Sequence, residues 1–352
     1  MKIASAQVIP YALPFRRPYV TARGRLDRRE MVLFRLRSED GLTGLGEAVP
    51  LSLRGGTTLA RVVQELENLA RRDSLEEAGL RGQSAALSPP ARCAALTALM
   101  DLRGRRAAAD AGTHPAASPP LACNATLVAG PPAALAEDAM RWAGDGFTTF
   151  KLKLGVGEDA AGVRAVREAL GPGMRIRVDA NACWDVESAK HTLAALEPFD
   201  IELAEQPVPT LEGCAEVAAT TAIPIACDES VESCADAERA VSSGACELTA
   251  VKLSKVGGPE PALEIAEVLP AYLSSALDGP VGIAAAAQVA QTLAEQPGGG
   301  SLCLAHGLAT QRLFASTIAS VECELREGML ELPQGPGLGV EIDEAALDAH
   351  RI

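Results

Sequence analysis

The sequence predicts an α/β fold in which a parallel (β/α) barrel is joined to a smaller α+β domain. First, five short strand-like segments each end in an ionisable residue at intervals of 23 to 26 residues, which is about the length of one strand, one helix and two loops. Second, a chain of 352 residues exceeds one ordinary core and suits a barrel of about 200–250 residues plus a second domain. The five residues are Lys153, Asp179, Glu205, Asp228 and Lys252.

Composition and charge restrict the classes of protein to which this chain can belong. The content of 48% hydrophobic and 22% charged residues is typical of a soluble globular enzyme. A net charge of −14 argues against a nucleic-acid partner, which needs a basic surface. No apolar segment reaches the roughly 18 residues that span a bilayer, so no membrane partner is expected. The N-terminus resembles a first strand rather than a signal peptide.

The cysteines indicate the compartment. Nine cysteines without a C-x-x-C spacing are interpreted as reduced and mostly buried thiols, which predicts a cytoplasmic location.

Residues 1–118 are predicted to form the α+β domain. Apolar and polar residues alternate over 3–11, 29–37 and 45–48, with a hairpin turn at 39–41, which indicates an antiparallel meander. Residues 57–110 then show helical periodicity. Pro115, Pro119 and Pro120 mark the boundary of the domain.

Residues 119–316 are predicted to form the barrel. Its strands are expected at 121–127, 148–154, 174–179, 199–205, 223–228 and 248–253, with two more near 271–276 and 301–306. Its helices are expected at 133–143, 159–170, 186–196, 211–220, 233–242, 261–268 and 282–294. The segment 317–352 becomes strand-like again, with a hairpin from 322–326 and 329–332, and is expected to return to the N-terminal domain.

Two lysines lie two positions apart on one predicted barrel strand. Alternation places Lys151 and Lys153 on the same face, towards the barrel interior. Desolvation lowers the pKa of a buried lysine, and a lysine brought to a pKa of roughly 7–8 can act as a general base. A solvated edge strand is the more common explanation of two such lysines alone, but the carboxylates that follow favour the interior.

Three carboxylates end successive predicted strands. Each of Asp179, Glu205 and Asp228 alone would more often be a helix cap or an ion-pair partner. Together, without matching arginines at those strand ends, they require a cation, and all-oxygen ligation favours Mg²⁺ or Mn²⁺ over zinc. Lys153 and Lys252 come from strands four positions apart and approach the centre from opposite sides. This arrangement suits removal of a proton next to a carboxylate.

Other catalytic motifs are missing from the sequence. His306 is the one histidine near a strand end, and we interpret it as a packing residue. Residues 298–300 are a glycine run without the G-K-[ST] of a phosphate-binding loop.

Several motifs together resemble the enolase superfamily, in its muconate-lactonizing subgroup, over nearly the whole chain. They are Lys151-x-Lys153, Val178-Asp179-Ala180-Asn181, Glu205-Gln206-Pro207, Asp228-Glu229-Ser230, Lys252 followed by Gly257-Gly258, and Pro336-Gly337-Leu338-Gly339-Val340. The resemblance implies a modified (β/α)7β barrel of the TIM type, capped by a domain that both chain ends build. It implies Mg²⁺ on the three carboxylates, acid/base roles for Lys153 and Lys252, and Lys151 near a substrate carboxylate. Cap loops at 19–25 and 52–56 would cover the site.

Within this subgroup, three segments are similar to o-succinylbenzoate synthases. They are the run 123–127, which contains Asn124, and the pair of runs 274–278 and 306–310, which contain Ser274, Ser275 and Gly307. With Asn181, these residues are candidates for substrate contact or support of the site. The resemblance implies syn dehydration of 2-succinyl-6-hydroxy-2,4-cyclohexadiene-1-carboxylate, a step of menaquinone biosynthesis. The expected partner is this small carboxylate substrate. The sequence leaves open whether the chain forms a homo-oligomer.

Other activities of the subgroup remain as alternatives. The run 252–255 is more similar to epimerases and racemases, which keeps an N-succinylamino acid racemase as the second choice, and muconate cycloisomerases share the same residues. Dipeptide epimerases of the Ala-Glu type usually carry Asp-x-Asp on the eighth strand to bind a substrate ammonium, whereas the run 305–309 has no acid. A non-enzymatic scaffold is disfavoured because no ligand and no lysine of the pattern is lost.

Overall fold

A computed structural model describes residues 1–51, 55–71, 75–112, 118–295 and 304–352. The chain begins with an antiparallel sheet of order β3-β2-β1-β4. Its strands are β1 (Lys2–Thr21), β2 (Gly24–Ser38), β3 (Thr43–Ala48) and β4 (Leu75–Glu76). The predicted meander and its turn at 39–41 are confirmed, but β1 and β2 are far longer than predicted. Their additional residues form a hairpin that pairs Thr21 with Gly24 at its tip.

Three helices cover one face of this sheet: α1 (Leu59–Ala70), α2 (Glu77–Ser84) and α3 (Pro89–Ala111). The predicted apolar stripes are buried, including Val62 and Leu66 on α1 and Leu99 on α3. Helix α3 lies directly on β3. Glycine at position 46 permits this close approach, because a Cβ atom there would overlap the carbonyl of Ala94. The sheet and its helices enclose a core of their own.

The second unit is a parallel sheet whose seven strands follow one another in chain order. After β5 (Leu121–Ala122), these strands are β6 (Ala125–Leu127), β7 (Thr149–Lys153), β8 (Arg175–Asp179), β9 (Ile201–Glu205), β10 (Ile225–Cys227), β11 (Leu248–Val251) and β12 (Ala271–Leu273). The helices between and after them are α4 (Pro132–Gly144), α5 (Asp159–Leu170), α6 (Val186–Leu196), α7 (Leu211–Ala218), α8 (Cys234–Ser243), α9 (Leu253–Val256), α10 (Pro259–Val268) and α11 (Pro280–Glu295). The predicted barrel class is confirmed.

Two residues link the edge strands of the curved sheet. His306 forms a parallel bridge with Cys123 next to β6, and Gly307 forms one with Ser274 next to β12. Of the predicted eighth strand at 301–306, the first three residues lie outside the described residues, as does the glycine run at 298–300. The part that is described contributes these single bridges rather than a regular strand.

The sixth predicted strand, 248–253, is two residues too long. Strand β11 ends at Val251, and α9 begins at Leu253. The reason is local hydrogen bonding, since the backbone N–H groups of Lys255 and Val256 both donate to the carbonyl of Lys252.

The C-terminal segment contains β13 (Ala319–Val321), β14 (Glu324–Arg326), β15 (Met329–Glu331), β16 (Glu341–Ile342) and α12 (Glu344–His350). The predicted hairpin is confirmed as β14–β15, but it pairs with β5 beside the barrel. The first predicted barrel strand, 121–127, is therefore divided between two sheets. Its N-terminal part β5 pairs with this hairpin, and β6 alone enters the barrel.

The end of the chain returns to the N-terminal sheet, as predicted. Leu338 N donates to Asp101 Oδ1 on α3 at 2.7 Å, and Arg35 on β2 pairs with Glu344 at 2.6 Å. Asp343 caps α12, a helix that was not predicted, by accepting two backbone N–H groups. Among the described residues, no helix is both long and apolar enough to cross a membrane.

Candidate active site

Five ionisable residues meet at the carboxyl ends of five adjacent strands. Lys153 on β7 is the register partner of Asp179 on β8, and Asp179 is the partner of Glu205 on β9. Asp228 and Lys252 directly follow β10 and β11. All five side chains are buried. The structure thus brings together the residues that the regular spacing singled out.

Lys151 and Lys153 both bind Asp179. Lys153 Nζ lies 2.6 Å from Asp179 Oδ2 and donates to Asn181 Oδ1 at 3.1 Å. Lys151 Nζ lies 2.8 Å from the same Asp179 oxygen and 2.6 Å from Glu205 Oε2. Lys151 therefore lies among the carboxylates, and it is not among the residues that line the cavity above them.

Asp228 binds two lysines in the same way. Lys252 Nζ pairs with Asp228 Oδ2, and Lys255 Nζ lies 2.9 Å from Asp228 Oδ1. Lys255 also donates to the carbonyls of Asp228 and Ala250. No role was expected for Lys255 from the sequence. A spacing of three residues from Lys252 in a helical turn is the signal that could have identified it.

The pKa values of these groups follow from the pairing. Burial lowers the pKa of Lys153, but the attraction of Asp179 together with that of Glu205 and the hydrogen bond to Asp179 raises this pKa above its ordinary value. Lys151 shows the same balance with Asp179 and Glu205. Burial would raise the pKa of Asp179, yet Lys151 and Lys153 hold it well below its usual range. The expectation that desolvation brings the pKa of these lysines down is therefore wrong while the carboxylates are paired with them.

The carboxylates have the chemistry that a hard divalent cation requires, and one buried atom is open to a further ligand. Glu205 Oε1 is buried and lacks a hydrogen-bond partner among the described residues. The nearest ammonium in an ion pair with it, Lys252 Nζ, lies 3.9 Å away. In the described part of the chain, no three acidic, histidine or cysteine side chains lie close enough together to bind one metal ion without rearrangement. Carboxylate oxygens are ligands that Mg²⁺ prefers. In this structure the same carboxylates form ion pairs with lysines.

A cavity above the carboxylates opens between the barrel and the N-terminal domain. The hairpin of β1 and β2 covers it, because Arg23 Nε donates to the carbonyl of Asn181 at 2.9 Å and Arg23 Nη2 to that of Ala182 at 3.4 Å. The lining residues are Tyr19, Thr21, Arg23, Arg29, Leu51, Lys153, Asn181, Lys252, Ser275, Ala276 and Leu277. The expected cover by residues 19–25 is thus present. Of the other cap loop, 52–56, residues 52–54 lie outside the described residues.

The remaining sequence candidates divide into two groups. Asn181 and Ser275 line the cavity. Asn124, Ser274 and Gly307 do not, and they are buried where the barrel edges meet. A Cβ atom at Gly307 would crowd Ser274 Oγ at 2.7 Å, so these two residues pack against each other. His306 accepts the backbone N–H of Leu273, and burial lowers its pKa to about 4, which agrees with a packing role.

Gln206 connects the ends of three strands. Its Oε1 accepts the backbone N–H of Asp228 at 2.7 Å, and its own carbonyl accepts the N–H of Ala182 at 2.7 Å. Its φ of 39° is rare for a residue with a side chain. A strained backbone held by several hydrogen bonds is a common feature of functional sites. Gln206 thus fixes the backbone of Asp228 relative to its neighbour Glu205.

Tyr272 is a further residue that the sequence analysis missed. It lies on β12 inside the barrel, is fully buried, and its hydroxyl donates to Glu205 Oε2. Burial and the nearby Glu205 raise the pKa of this phenol well above its ordinary value, so it stays a donor. No sequence signal marked it, because an aromatic residue on a short apolar strand is ordinarily a core residue.

Comparisons with known proteins agree with this geometry. Residues 134–346 match a sequence model of the enolase C-terminal domain-like family, and residues 3–110 match the mandelate racemase / muconate lactonizing enzyme N-terminal domain. The chain is 37% identical over 240 residues to an o-succinylbenzoate synthase of Thermobifida fusca (strain YX). This alignment covers 64% of this chain and 73% of that protein.

Two solved structures cover nearly the whole chain. The muconate lactonizing enzyme of Pseudomonas fluorescens complexed with muconolactone has a TM-score of 0.90 at 28% identity and covers 99% of each chain. The dipeptide epimerase of Enterococcus faecalis V583 complexed with Mg and the dipeptide L-Leu-L-Tyr has a TM-score of 0.88 at 28% identity and covers 97% of this chain and 100% of that one. These relatives include lyases and epimerases on one scaffold. The chain belongs to the enolase superfamily, in the group of mandelate racemase and muconate lactonizing enzymes.

Proposed function

We propose that this protein is an o-succinylbenzoate synthase that dehydrates 2-succinyl-6-hydroxy-2,4-cyclohexadiene-1-carboxylate. The charge of the cavity is the observation that carries the proposal. Four basic side chains line it, and among the described lining residues none is acidic. Such a cavity favours an acid with two carboxylates and no ammonium group, which describes this substrate. The similarity to the Thermobifida fusca synthase adds support.

Lys153 is proposed as the base and then the acid. Its ammonium must first leave Asp179, because the pairing holds it in the charged form. After the ammonium has released one proton to solvent, the neutral amine takes the proton next to the ring carboxylate, which leaves an enediolate. The resulting ammonium returns this proton to the departing hydroxyl on the same face, so that water leaves and the ring becomes aromatic. One residue thus performs both proton transfers of a syn dehydration.

Lys252 is proposed to stay protonated on the opposite side of the cavity. Its positive charge stabilises the negative charge that develops on the substrate carboxylate. Lys252 is a lining residue, as Lys153 is. Lys153 ends β7 and Lys252 follows β11, and three strands lie between these two.

Asp179, Glu205 and Asp228 are proposed to hold Mg²⁺, with Mn²⁺ as an alternative. The buried Oε1 of Glu205, open to a further ligand, supports this assignment, as does the Mg in the related dipeptide epimerase. Bound Mg²⁺ would supply Lewis-acid stabilisation of the carboxylate oxygens on which negative charge develops. Cytoplasmic location belongs to the same proposal, and the described cysteines, all free thiols, support it.

An N-succinylamino acid racemase is the second candidate, because two lysines on opposite sides of one cavity can exchange a proton with both faces of a carbon. Its substrates also carry two carboxylates, so charge does not separate the two reactions. A dipeptide epimerase is less favoured. Neither the cavity nor the run 305–309, of which all five residues are described, offers a carboxylate to a substrate ammonium.

A substrate panel tests the proposal. The purified protein with Mg²⁺ is given the cyclohexadiene carboxylate, N-succinylamino acids, dipeptides and muconate in deuterated water. We expect efficient formation of o-succinylbenzoate. Efficient racemisation of N-succinylamino acids without dehydration would establish the second candidate instead. If the protein forms no product from any of these substrates and exchanges deuterium into none of them, the proposal of an enediolate-forming enzyme fails.

A further inference from the structure

We infer that Tyr272 is a positioning residue, which orients the Glu205 carboxylate so that one of its oxygens remains open to a divalent cation. The inference rests on the proposed function, in which Glu205 is a metal ligand. It assigns a role to a residue of the barrel interior that does not line the cavity.

The two oxygens of Glu205 have different surroundings. Oε2 receives the ammonium of Lys151 at 2.6 Å and the hydroxyl of Tyr272. Oε1 is equally buried but has no hydrogen-bond partner among the described residues. A buried carboxylate oxygen without a partner costs free energy, so the arrangement is unfavourable unless a ligand completes it. Because both donors bind Oε2, the carboxylate is held in this orientation and cannot rotate to bring Oε1 to one of them.

The position of Tyr272 is determined by the barrel interior. Strand β12 is three strands from β9, so the phenol reaches across the barrel to Glu205. Its ring packs in a small apolar cluster in which Ala226 and Ala250 leave space for an aromatic residue. The ring cannot move sideways without a clash in such a packed layer.

The guanidinium of Arg177 packs on one face of the Tyr272 ring. Its guanidinium carbon lies 4.9 Å from the ring centre of Tyr272. Arg177 is itself fixed, because it donates to the carbonyl of Ala305 at 2.7 Å and pairs with Glu202. A cation over the ring draws electron density from the phenol, which strengthens the hydroxyl as a donor. Arg177 and Tyr272 thus support Glu205 from the side away from the cavity.

The test compares two tyrosines that make the same kind of bond. Tyr272→Phe removes only the hydroxyl that binds Glu205. Tyr11→Phe is the matched control, because the Tyr11 hydroxyl donates to the buried Glu47 at 2.8 Å, away from the three carboxylates. Mn²⁺ affinity is measured by calorimetry and by electron paramagnetic resonance. Loss of a group that orients a metal ligand lowers metal affinity about 10–100-fold.

We expect such a loss for Tyr272→Phe, a changed Mn²⁺ spectrum, and wild-type affinity for Tyr11→Phe. Equal affinity of Tyr272→Phe and wild type would overturn the inference. If wild type itself binds no Mn²⁺ or Mg²⁺, the proposed metal site fails, which is a distinguishable result.

A second measurement does not depend on the folding of Tyr272→Phe. The chain has three tyrosines, so wild type labelled with 3-fluorotyrosine gives three fluorine resonances, assigned with Tyr11→Phe and Tyr19→Phe. Saturation with Mg²⁺ should shift the resonance of Tyr272, because the carboxylate that it binds takes up a second cationic contact. A resonance that does not move at saturating Mg²⁺ rejects the role.

Discussion

Lys153 Nζ lies 2.6 Å from Asp179 Oδ2, and the two residues are register partners at the ends of β7 and β8. The pair joins the proposed base to a proposed metal ligand. While this ion pair is formed, the lysine is held as an ammonium, because Asp179 and the further negative charge of Glu205 together outweigh burial. Base catalysis therefore requires Asp179 to exchange this partner for another cation.

Replacement of Glu205 by Gln should abolish activity without unfolding the protein. The amide keeps the shape of the carboxylate, but a neutral ligand weakens cation binding and stabilisation of developing charge together. We expect turnover to fall at least about a hundredfold, with loss of Mg²⁺ binding in calorimetry.

Glu212→Gln, an exposed substitution on α7, is the matched control and should behave as wild type. Chelation of divalent metal should reproduce the loss in wild type. Turnover that survives chelation would contradict the whole assignment of the site.

Replacement of Lys153 or Lys252, the two proposed acid/base residues, by Arg should distinguish a synthase from a racemase. Arg keeps the charge but does not deprotonate, and its planar group alters the geometry. In a syn dehydration Lys153→Arg should remove all activity, while Lys252→Arg should leave a small measurable rate. The measurement is product formation from the cyclohexadiene carboxylate.

A racemase would respond in another way. With an N-succinylamino acid, each variant should then still exchange the α-proton of a single enantiomer. Lys190→Arg, a surface lysine paired with Glu187 at 3.0 Å, controls for the substitution itself. Equal residual dehydration in both catalytic variants would contradict the assignment of Lys153 as the sole base.

Much of the barrel could be predicted because its signals are local. Helices α5 and α6 begin and end where predicted, at Asp159–Leu170 and Val186–Leu196. The five ionisable strand ends meet because parallel strands present their carboxyl ends on one side. Periodicity and spacing therefore sufficed to predict the barrel class and the meeting of the carboxylates and lysines at one end of it.

The features that were missed depend on contacts between segments far apart in the chain. Strand β5 leaves the barrel because β15, about 200 residues later, pairs with it. Tyr272 reaches Glu205 across 67 positions of sequence. The raised pKa of Lys153 depends on its distance to Asp179, whereas the sequence pattern predicts only that the lysine faces the barrel interior. A sequence pattern predicts which face of a helix or strand is buried. It does not predict which residue of a distant helix or strand that face contacts in the folded protein.

Replacement of Arg23 by Met should weaken substrate binding more than it slows the chemical step. Arg23 lines the cavity on the hairpin that covers the site. A charged hydrogen bond to a carboxylate contributes about 1.5–3 kcal/mol, so KM should rise about 10–100-fold with a smaller change in kcat. Steady-state kinetics with the substrate of the highest activity provide the measurement.

The control lies on the same hairpin. Arg16 is exposed and does not line this cavity, so Arg16→Met should leave KM unchanged. If both variants bind substrate as wild type does, Arg23 closes the hairpin through Asn181 and Ala182 without contacting substrate.

The last prediction concerns a buried acid where the N-terminal domain meets the barrel. Glu47 on β3 accepts the hydroxyl of Tyr11 at 2.8 Å and the backbone N–H of Gly279 at 2.6 Å. Burial, together with the negative charge of Asp278, raises the pKa of Glu47 to about 8. The folded protein thus holds a proton that the unfolded chain releases near pH 4.5. This contribution to stability is fully present below pH 4.5 and is lost as the pH rises through about 8.

Glu47→Gln should therefore flatten the pH dependence of stability, because the amide does not titrate, although Tyr11 must then accept rather than donate. Between pH 5 and pH 8.5, wild type should lose on the order of a few kcal/mol of unfolding free energy relative to this variant. Urea denaturation at both pH values measures the difference, with Glu344→Gln on the surface as control. Parallel pH profiles of wild type and Glu47→Gln would show that Glu47 is already ionised in the folded protein near neutral pH.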